Sequence, residues 1–276
     1  MDTLRQALNR KFPAIANRLI GIWDTYVETD FDFKNITKTN LVKFVDGLRS
    51  EVSLNSAGTY AKAVKSTLNE FNDQIKLPDG YQRYLTLKTE ATISVWLTIE
   101  EIEALIAYEP KSEIETLVKS QFILGCLTGA RHSDFINFTE ENIQNDNLVY
   151  ISQKTKVRTE LPLAERARQI ILSGEAIGLV SDVTFNKYIK EICRKAGMTE
   201  TVQVYRGGRF YTDAKHKFIA SHTARRSFAT NLYLRCHDLF RVSKYMGHSS
   251  VNVTASYIMS IGAAPPEVME FFEKFK

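Results

Sequence analysis

Three stripes of apolar residues at helical spacing cover this 276-residue chain up to Phe71 and limit what its first part can fold into. Side chains three or four positions apart lie on one helix face, so each stripe predicts an amphipathic helix. Thr37 and Thr39 are candidate N-caps for the second helix, and the Asn55-Ser56 region is a candidate for the third. We expect the three helices to pack as a small bundle. The stripes are Phe12, Ile15, Leu19, Ile22, Trp23 and Tyr26; Leu41, Phe44, Val45 and Leu48; and Ala61, Val64, Leu68 and Phe71.

A domain boundary is predicted near residue 95. Leu77-Pro78-Asp79-Gly80 is turn chemistry that stops the third helix, and the pattern stays irregular from there to Val95, as in a linker. Thr98-Ile99-Glu100-Glu101 is a capping box that opens a new helix. The sequence thus predicts a helical domain over residues 1–90, a linker to about residue 96, and a second domain over 97–276.

The second part mixes helix and strand. Residues 114–127 end in a near-continuous apolar run, which predicts a buried helix that Thr128-Gly129 ends. Two short strand-like runs flank Lys154-Thr155-Lys156, which predicts a β-hairpin with a basic tip. We expect a mainly α fold with a small β-sheet (α+β). The remaining predictions are strands at Asn147 to Ile151 and Val157 to Leu163, a helix over 182–196, a hairpin or loop over 202–219 around Gly207-Gly208, and helical pieces from His222 onward.

Positive charge is concentrated near the end of the chain. The net charge is only +4, but nine Lys or Arg and two acids lie between Gln203 and His248, together with four of the five histidines. Such a zone indicates a polyanionic partner. The apolar runs are too short to span a bilayer, and the N-terminus lacks an apolar signal core. The three widely spaced cysteines are typical of reduced cytosolic thiols.

Two arginines, two histidines and a tyrosine are the candidate chemistry. They are Arg131 after Thr128-Gly129-Ala130, His222 and Arg225 three apart, His248 after Gly247, and Tyr257 nine residues later. Arginine holds a phosphate with a fixed fork of N–H donors, and tyrosine can attack phosphorus covalently. Each piece alone is also typical of a solvated helix face or a core residue. Together they describe metal-free cleavage of a nucleic-acid phosphodiester.

The order and spacing of these pieces resemble the tyrosine recombinase, or phage integrase, family over about residues 97–260. That family has an arginine after a Thr-Gly turn, a lysine at a hairpin tip, His-x-x-Arg, Gly-His, and a tyrosine nine residues after that histidine. The segments His222 to Thr230 and Tyr245 to Ser250 are especially characteristic. The hairpin lysine matches Lys154 in Gln153-Lys154-Thr155, with Lys156 as the alternative, and Asp134 matches a supporting acid.

The resemblance implies a role for each residue. Arg131 and Arg225 bind the scissile phosphate, and Tyr257 attacks it to leave a 3′-phosphotyrosine and a free 5′-hydroxyl. His222 eases proton loss from the tyrosine, whose ordinary pKa is about 10. Lys154 protonates the departing oxygen. His248 binds the phosphate or holds the geometry of the site.

The implied protein is a cytoplasmic, DNA-associated, site-specific recombinase that needs no metal, cofactor or ATP. Its partners are double-stranded DNA, three further copies of itself in a tetramer on paired sites, and possible accessory DNA-bending or excision factors. A type IB topoisomerase, which rejoins without strand exchange, and a catalytically silent DNA-binding relative remain as alternatives. Candidate DNA contacts outside the catalytic set are Lys62, Lys65, Arg226 and Lys244.

Both ends of the chain carry an expectation. Only about eleven residues precede the first stripe, so the extra arm-binding domain of larger integrases is expected to be absent. Ala264-Pro265-Pro266-Glu267 predicts the start of a last helix bearing Val268, Met269, Phe271 and Phe272. Such an apolar helix can dock on its own domain or on a neighbouring protomer, and the resemblance implies the neighbour.

Overall fold

A computed structural model describes residues 2–90, 92–248 and 250–258, and contacts between Cα atoms divide these residues into two units. The first unit holds the residues up to Thr92 and the segment Tyr205–Arg209, and the second holds the rest. Each unit has its own apolar core. The predicted C-terminal helix starting near Pro265 lies outside the described residues.

The first unit is helical, as the stripes predict. Its helices are α1 (Leu4–Lys11), α2 (Pro13–Tyr26), α3 (Lys38–Glu51), α4 (Leu54–Glu70) and the short α5 (Tyr81–Tyr84). The three stripes lie on α2, α3 and α4, and Trp23 is fully buried between Phe31 and Phe44. The sequence reasoning missed α1, which Thr3 opens with a capping box and which buries Leu4 and Leu8.

Two predicted boundaries in this unit are wrong. Helix α4 is capped by Ser53 rather than by Asn55 or Ser56, and it ends at Glu70, well before Leu77. Tyr81 and Leu85 lie in the stretch after the proline turn where the sequence pattern is irregular, and both are buried in the core of the first unit. The Tyr81 hydroxyl donates to Asn69 Oδ1 at 2.6 Å. The first unit therefore continues beyond the proline turn, because Tyr81 bonds to helix α4.

The second unit is built around one buried helix. The predicted capping box of Thr98 and Glu101 opens α6 (Ile99–Ala107). Next comes α7 (Glu113–Thr128), whose last turns are buried on all sides and which ends at Gly129 in the left-handed conformation. The one-turn helix α8 (His132–Phe135) follows directly. The apolar run therefore forms the central helix that the sequence predicts.

A three-stranded antiparallel sheet carries the predicted hairpin. Its strands are β1 (Ile143–Gln144), β2 (Asn147–Ile151) and β3 (Arg158–Pro162), in the order β1-β2-β3. Ile151 pairs with Arg158, which leaves residues 152–157 as the loop that bears Lys154. The short strand β1 was not predicted.

The rest of the second unit is mostly helical. It comprises α9 (Glu165–Ser173), α10 (Asp182–Lys195), the hairpin of β4 (Thr201–Arg206) and β5 (Arg209–Ala214), a 3₁₀ turn (Lys215–Phe218), α11 (Ser221–Cys236), α12 (Leu239–Tyr245) and α13 (Val251–Ile258). Only the tip of this hairpin, Tyr205–Arg209, is grouped with the first unit. Helix α9 was missed, whereas the helical pieces after His222 are present. The hairpin alternative is correct for the basic stretch, with Gly207 and Gly208 supplying the two positive φ angles of its turn.

Candidate active site

Arg131 is positioned by the end of helix α7. Gly129 has a φ of 66°, and a Cβ atom there would overlap the ring of Phe228, so only glycine fits. The chain then turns into α8, with Arg131 as its N-cap residue in extended conformation. This turn directs the guanidinium toward the loop of the β2–β3 hairpin, where its Nη1 donates to Ser152 Oγ at 2.9 Å.

Asp134 ties the same hairpin to α8. Its carboxylate is 4 % exposed and accepts the Ser152 hydroxyl on Oδ2 at 2.9 Å and the Gln153 backbone N–H on Oδ1 at 2.8 Å. Asp134 therefore makes no direct ion pair with Arg131; the Ser152 hydroxyl connects the two residues. The sequence indicated Asp134 as a supporting acid, but it gave no signal for Ser152.

Arg225 is the most deeply buried charged group of the site, at 2 % exposure. It projects from the first turns of α11 and donates to the carbonyl oxygens of Gly129 and, at 2.6 Å, Met246. Burial lowers the pKa of Arg225 and the positive charge of Arg131 lowers it further, whereas the Tyr257 hydroxyl acts in the opposite direction. Arginine nevertheless stays protonated at physiological pH, so the interior of this unit holds a fixed positive charge.

His248 is held between Arg225 and helix α13. Its Nε2 lies 2.7 Å from Arg225 Nη2, and its Nδ1 lies 2.8 Å from the hydroxyl of buried Thr254. A guanidinium can only donate, so Nε2 accepts and the proton resides on Nδ1. Burial, followed by the charges of Arg225 and Arg131, lowers the pKa of His248 to about 4. The ring is therefore neutral at pH 7.

Tyr257 lies in the same site, on helix α13. Its ring stacks on His248 with centroids 5.8 Å apart and an interplanar angle of 23°. The Arg226 guanidinium carbon is 5.7 Å from the centre of the Tyr257 ring. Arg226 also donates to the Val95 carbonyl at 3.4 Å and is only partly exposed. Arg226, expected from the sequence to contact DNA, thus lies against the ring of Tyr257.

A pocket of about 290 Å³ joins four of the predicted residues, since Arg131, Lys154, His222 and Arg225 all line it. Lys156, the alternative lysine, is not among its lining residues. The His222 ring is exposed at the surface, yet partial desolvation by neighbouring atoms lowers its pKa, and Arg225 and the other nearby cations lower it further. The pocket is therefore suited to an anion.

Four site residues were missed by sequence reasoning. Ser152 and Thr254 hold Arg131 and His248, as described above. His132 and Asp182 line the pocket beside the arginines, with His132 Nδ1 3.7 Å from Asp182 Oδ1. No spacing pattern marks these residues, because they come together only through the packing of α8, α10, α13 and the hairpin.

The three remaining candidate DNA contacts lie on helices. Lys62 and Lys244 are exposed, whereas Lys65 is partly buried and donates to the Thr86 hydroxyl at 2.9 Å. Among residues 2–90, 92–248 and 250–258, no group of three or more His, Cys, Asp or Glu could hold a metal ion. None of the helices in the described part of the chain is long and apolar enough to cross a membrane.

Comparison with known proteins identifies the family. A family model described as "Phage integrase family" matches residues 95–261, which is more than half of the chain. The chain belongs to the phage integrase family. The resemblance to tyrosine recombinases is confirmed, and so is the prediction, at the level of the family, of an enzyme of site-specific DNA recombination.

Two curated integrases are similar in sequence. The probable integrase/recombinase YoeC of Bacillus subtilis (strain 168) is 28 % identical over 139 residues, covering 50 % of this chain and 74 % of that protein. The integrase of Escherichia phage P2 is 24 % identical over 174 residues, covering 62 % of this chain and 44 % of its own length. The present chain thus matches less than half of the length of the phage P2 integrase.

Solved integrase-family structures share the fold. A structure of a lambda integrase dimer (residues 75–356) bound to a COC′ core site is 17 % identical in sequence and has a TM-score of 0.64. The match covers 95 % of this chain and 98 % of that one. The XerH recombinase in a post-cleavage complex with palindromic difH is 16 % identical in sequence and has a TM-score of 0.63. The match covers 91 % of this chain and 75 % of that one. The predicted mainly α fold with small sheets is therefore confirmed.

Proposed function

We propose that this integrase-family chain cuts and rejoins duplex DNA at specific sites through a 3′-phosphotyrosine on Tyr257. The observation that carries the proposal is that Tyr257 stacks on His248 while His248 accepts from Arg225. A nucleophilic hydroxyl and a phosphate-binding guanidinium thus occupy one site on one chain. A catalytically silent relative has no need to keep this complete set.

Arg131 and Arg225 bind the non-bridging oxygens of the scissile phosphate in this mechanism. Negative charge on these oxygens grows toward the transition state, so fixed donors aimed at them lower the barrier. Arg225 is buried and held by two carbonyl groups, which supports preorganisation because its guanidinium need not reorient during the reaction.

Tyr257 attacks phosphorus while the bond to the 5′ oxygen breaks. The phenolic proton leaves toward His222 or solvent; the lowered pKa of His222 keeps its ring neutral and able to accept it. Lys154 gives a proton to the departing 5′ oxygen, and its position in the lining of the pocket favours it over Lys156. His248 is neutral and accepts from Arg225, which supports a role in holding that arginine.

We further propose that the first unit is a core-binding domain for DNA and that the second is the catalytic domain, with four copies acting on paired sites. Exposed Lys62 supports the first part, and Lys244 offers a contact on the second unit. The lambda integrase and XerH structures contain DNA substrates, which supports duplex DNA as the partner. Accessory factors and docking of the C-terminal helix in a neighbour stay proposals.

The test is covalent capture from a pool of nicked duplexes whose core sequence is randomised. The wild-type chain should form protein–DNA adducts that survive denaturation, also in EDTA, and the captured sequence becomes the capture duplex. Tyr257→Phe should bind that duplex and form no adduct, whereas Tyr233→Phe, a control on α11, should form it normally. Adduct formation by Tyr257→Phe at the wild-type level, or a strict need for Mg²⁺, would refute the mechanism.

Strand exchange separates a recombinase from a topoisomerase, because both rejoin the strand that they cut. Two duplexes that carry the captured sequence on arms of different length should exchange arms when incubated with the wild-type chain. Relaxation of supercoiled DNA without exchanged products would favour the topoisomerase alternative.

A further inference from the structure

Ser152 occupies a junction that the proposed mechanism does not use. It is 1 % exposed and directly follows strand β2. Its hydroxyl accepts from Arg131 Nη1 at 2.9 Å and donates to Asp134 Oδ2 at 2.9 Å. A hydroxyl has one proton to donate and lone pairs to accept, so these two bonds are compatible and fix the direction of the relay.

The backbone of the same residue closes the loop that bears Lys154. The Ser152 N–H donates to the Val157 carbonyl at 3.0 Å, and the Lys156 N–H donates to the Ser152 carbonyl at 2.8 Å. Gln153, the next residue, donates its N–H to the second oxygen of Asp134 at 2.8 Å. The start of the loop is therefore bonded across to its end and down to α8, while Lys154 stays exposed two residues away.

We infer that Ser152 is a positioning residue that holds the phosphate-binding Arg131 and the loop of the acid Lys154 in one geometry. Arg131 comes from the turn after α7 and Lys154 from a hairpin about twenty residues later, so nothing in the chain itself fixes the distance between them. The Ser152 side chain is the connection: its hydroxyl contacts the arginine and the carboxylate of Asp134, and that carboxylate also accepts the N–H of Gln153 in the lysine loop. This inference rests on the proposed function.

Loss of the hydroxyl should disturb both groups at once. In Ser152→Ala, Arg131 loses an acceptor and Asp134 loses one of its two donors, so the guanidinium is freed and the loop is held by main-chain hydrogen bonds alone. A misplacement of about 1 Å in an active site can lower a rate about a hundredfold. We therefore expect the rate of covalent capture to fall by about tenfold to a hundredfold, while affinity for the uncleaved capture duplex changes less than about threefold.

A sulfur substrate separates the two effects. When sulfur replaces the bridging 5′ oxygen of the capture duplex, Tyr257 still forms its bond to phosphorus and the P–S bond breaks. Sulfur keeps the electron pair and leaves as a thiolate, which is stable without a proton, so the acid becomes unnecessary. Lys154→Ala should then recover most of its rate, and Arg131→Ala should recover none. Ser152→Ala should recover part of its loss, because it affects both.

Each other pattern overturns the inference. A loss in Ser152→Ala that is equal on the oxygen and sulfur substrates means that Ser152 supports Arg131 alone. Full recovery on sulfur means that it supports only the lysine loop, and a wild-type rate on both means that it supports neither. Absence of adducts with the wild-type chain would instead count against the proposed function itself.

A matched control addresses folding. Ser120→Ala removes a hydroxyl that is equally buried, at 2 % exposure, on helix α7, and it should leave both rates at the wild-type level. Thermal melting of both variants shows whether Ser152→Ala is folded. If it is not, Ser152→Cys keeps the size of the side chain and replaces the hydroxyl by a weak donor. Ser152→Cys should then recover part of its lost capture rate on the sulfur substrate, and a failure to recover any would overturn the inference.

Discussion

Acidification should destabilise this protein through His248, and His248→Gln should remove that part of the effect. In the folded chain the pKa of His248 is about 4, whereas its ordinary value is 6.5. Between about pH 6.5 and about pH 4 the unfolded chain therefore binds a proton that the folded chain does not. Stability falls as the pH decreases through the interval from about 6.5 to about 4, and it is fully present above pH 6.5.

The magnitude follows from the two pKa values. Applied in full, the shift reduces the free energy of unfolding by about 2 kcal/mol between pH 7 and pH 5. The ring is only partly buried, so solvent screens part of this effect and we halve it to about 1 kcal/mol. Glutamine cannot titrate, but its amide can accept from Arg225 and donate to Thr254, so His248→Gln keeps the two hydrogen bonds.

The assay is urea unfolding of both proteins at pH 7 and pH 5, followed by circular dichroism. The wild-type chain should lose about 1 kcal/mol more than the variant on acidification, because titration of other groups cancels in the comparison. A histidine titration by NMR should place the His248 pKa well below 6. Equal losses in the two proteins, or titration of His248 near 6.5, would show that burial and the charges of Arg225 and Arg131 do not hold the ring neutral.

Three further outcomes are expected. Gly129→Ala should reduce the free energy of unfolding by about 2 kcal/mol or more, because φ there is 66° and the Phe228 ring fills the space. Gly21→Ala is the control: it lies in helix α2 with nothing within 4 Å, and it should raise the free energy of unfolding by up to about 1 kcal/mol. Urea unfolding measures both. Lys154→Ala should slow covalent capture of the capture duplex at least tenfold and Lys156→Ala less than threefold, and the reverse order would move the acid to Lys156. Lys62→Ala and Lys244→Ala should each lower the slope of log affinity against log salt by about 0.9 in filter binding, and Lys65→Ala less, because Lys65 already bonds Thr86.

Local pattern was sufficient for most of the helices and for the lysine hairpin. The stripe of α3 and the capping box of Thr98 and Glu101 gave helices with nearly the right bounds, because periodicity and caps act within one or two turns. The same reasoning missed α1, α9 and the short helix α5 that begins at Tyr81. Those segments are ordered by burial against residues distant in sequence, and no local pattern reports that burial.

The family and the candidate residues were determined by the sequence itself. Arginine, lysine, histidine and tyrosine in this order have chemistry that depends on residue type. The family model that matches residues 95–261 confirms the family, and the roles of the residues stay a proposal. Their arrangement is a tertiary property. Arg131, Lys154 and Arg225 line one pocket because α7, the β2–β3 hairpin and α11 converge there.

Only the tertiary structure decided how the site is held. It shows that His248 is a neutral acceptor for Arg225, that Arg226 lies against Tyr257, and that Ser152 joins Arg131 to Asp134. A hydrogen bond or a pKa depends on distances of a few ångströms and on burial, and both arise when segments far apart in sequence pack together. The sequence therefore determined which groups are available for the chemistry, whereas the packing determined their protonation and their partners.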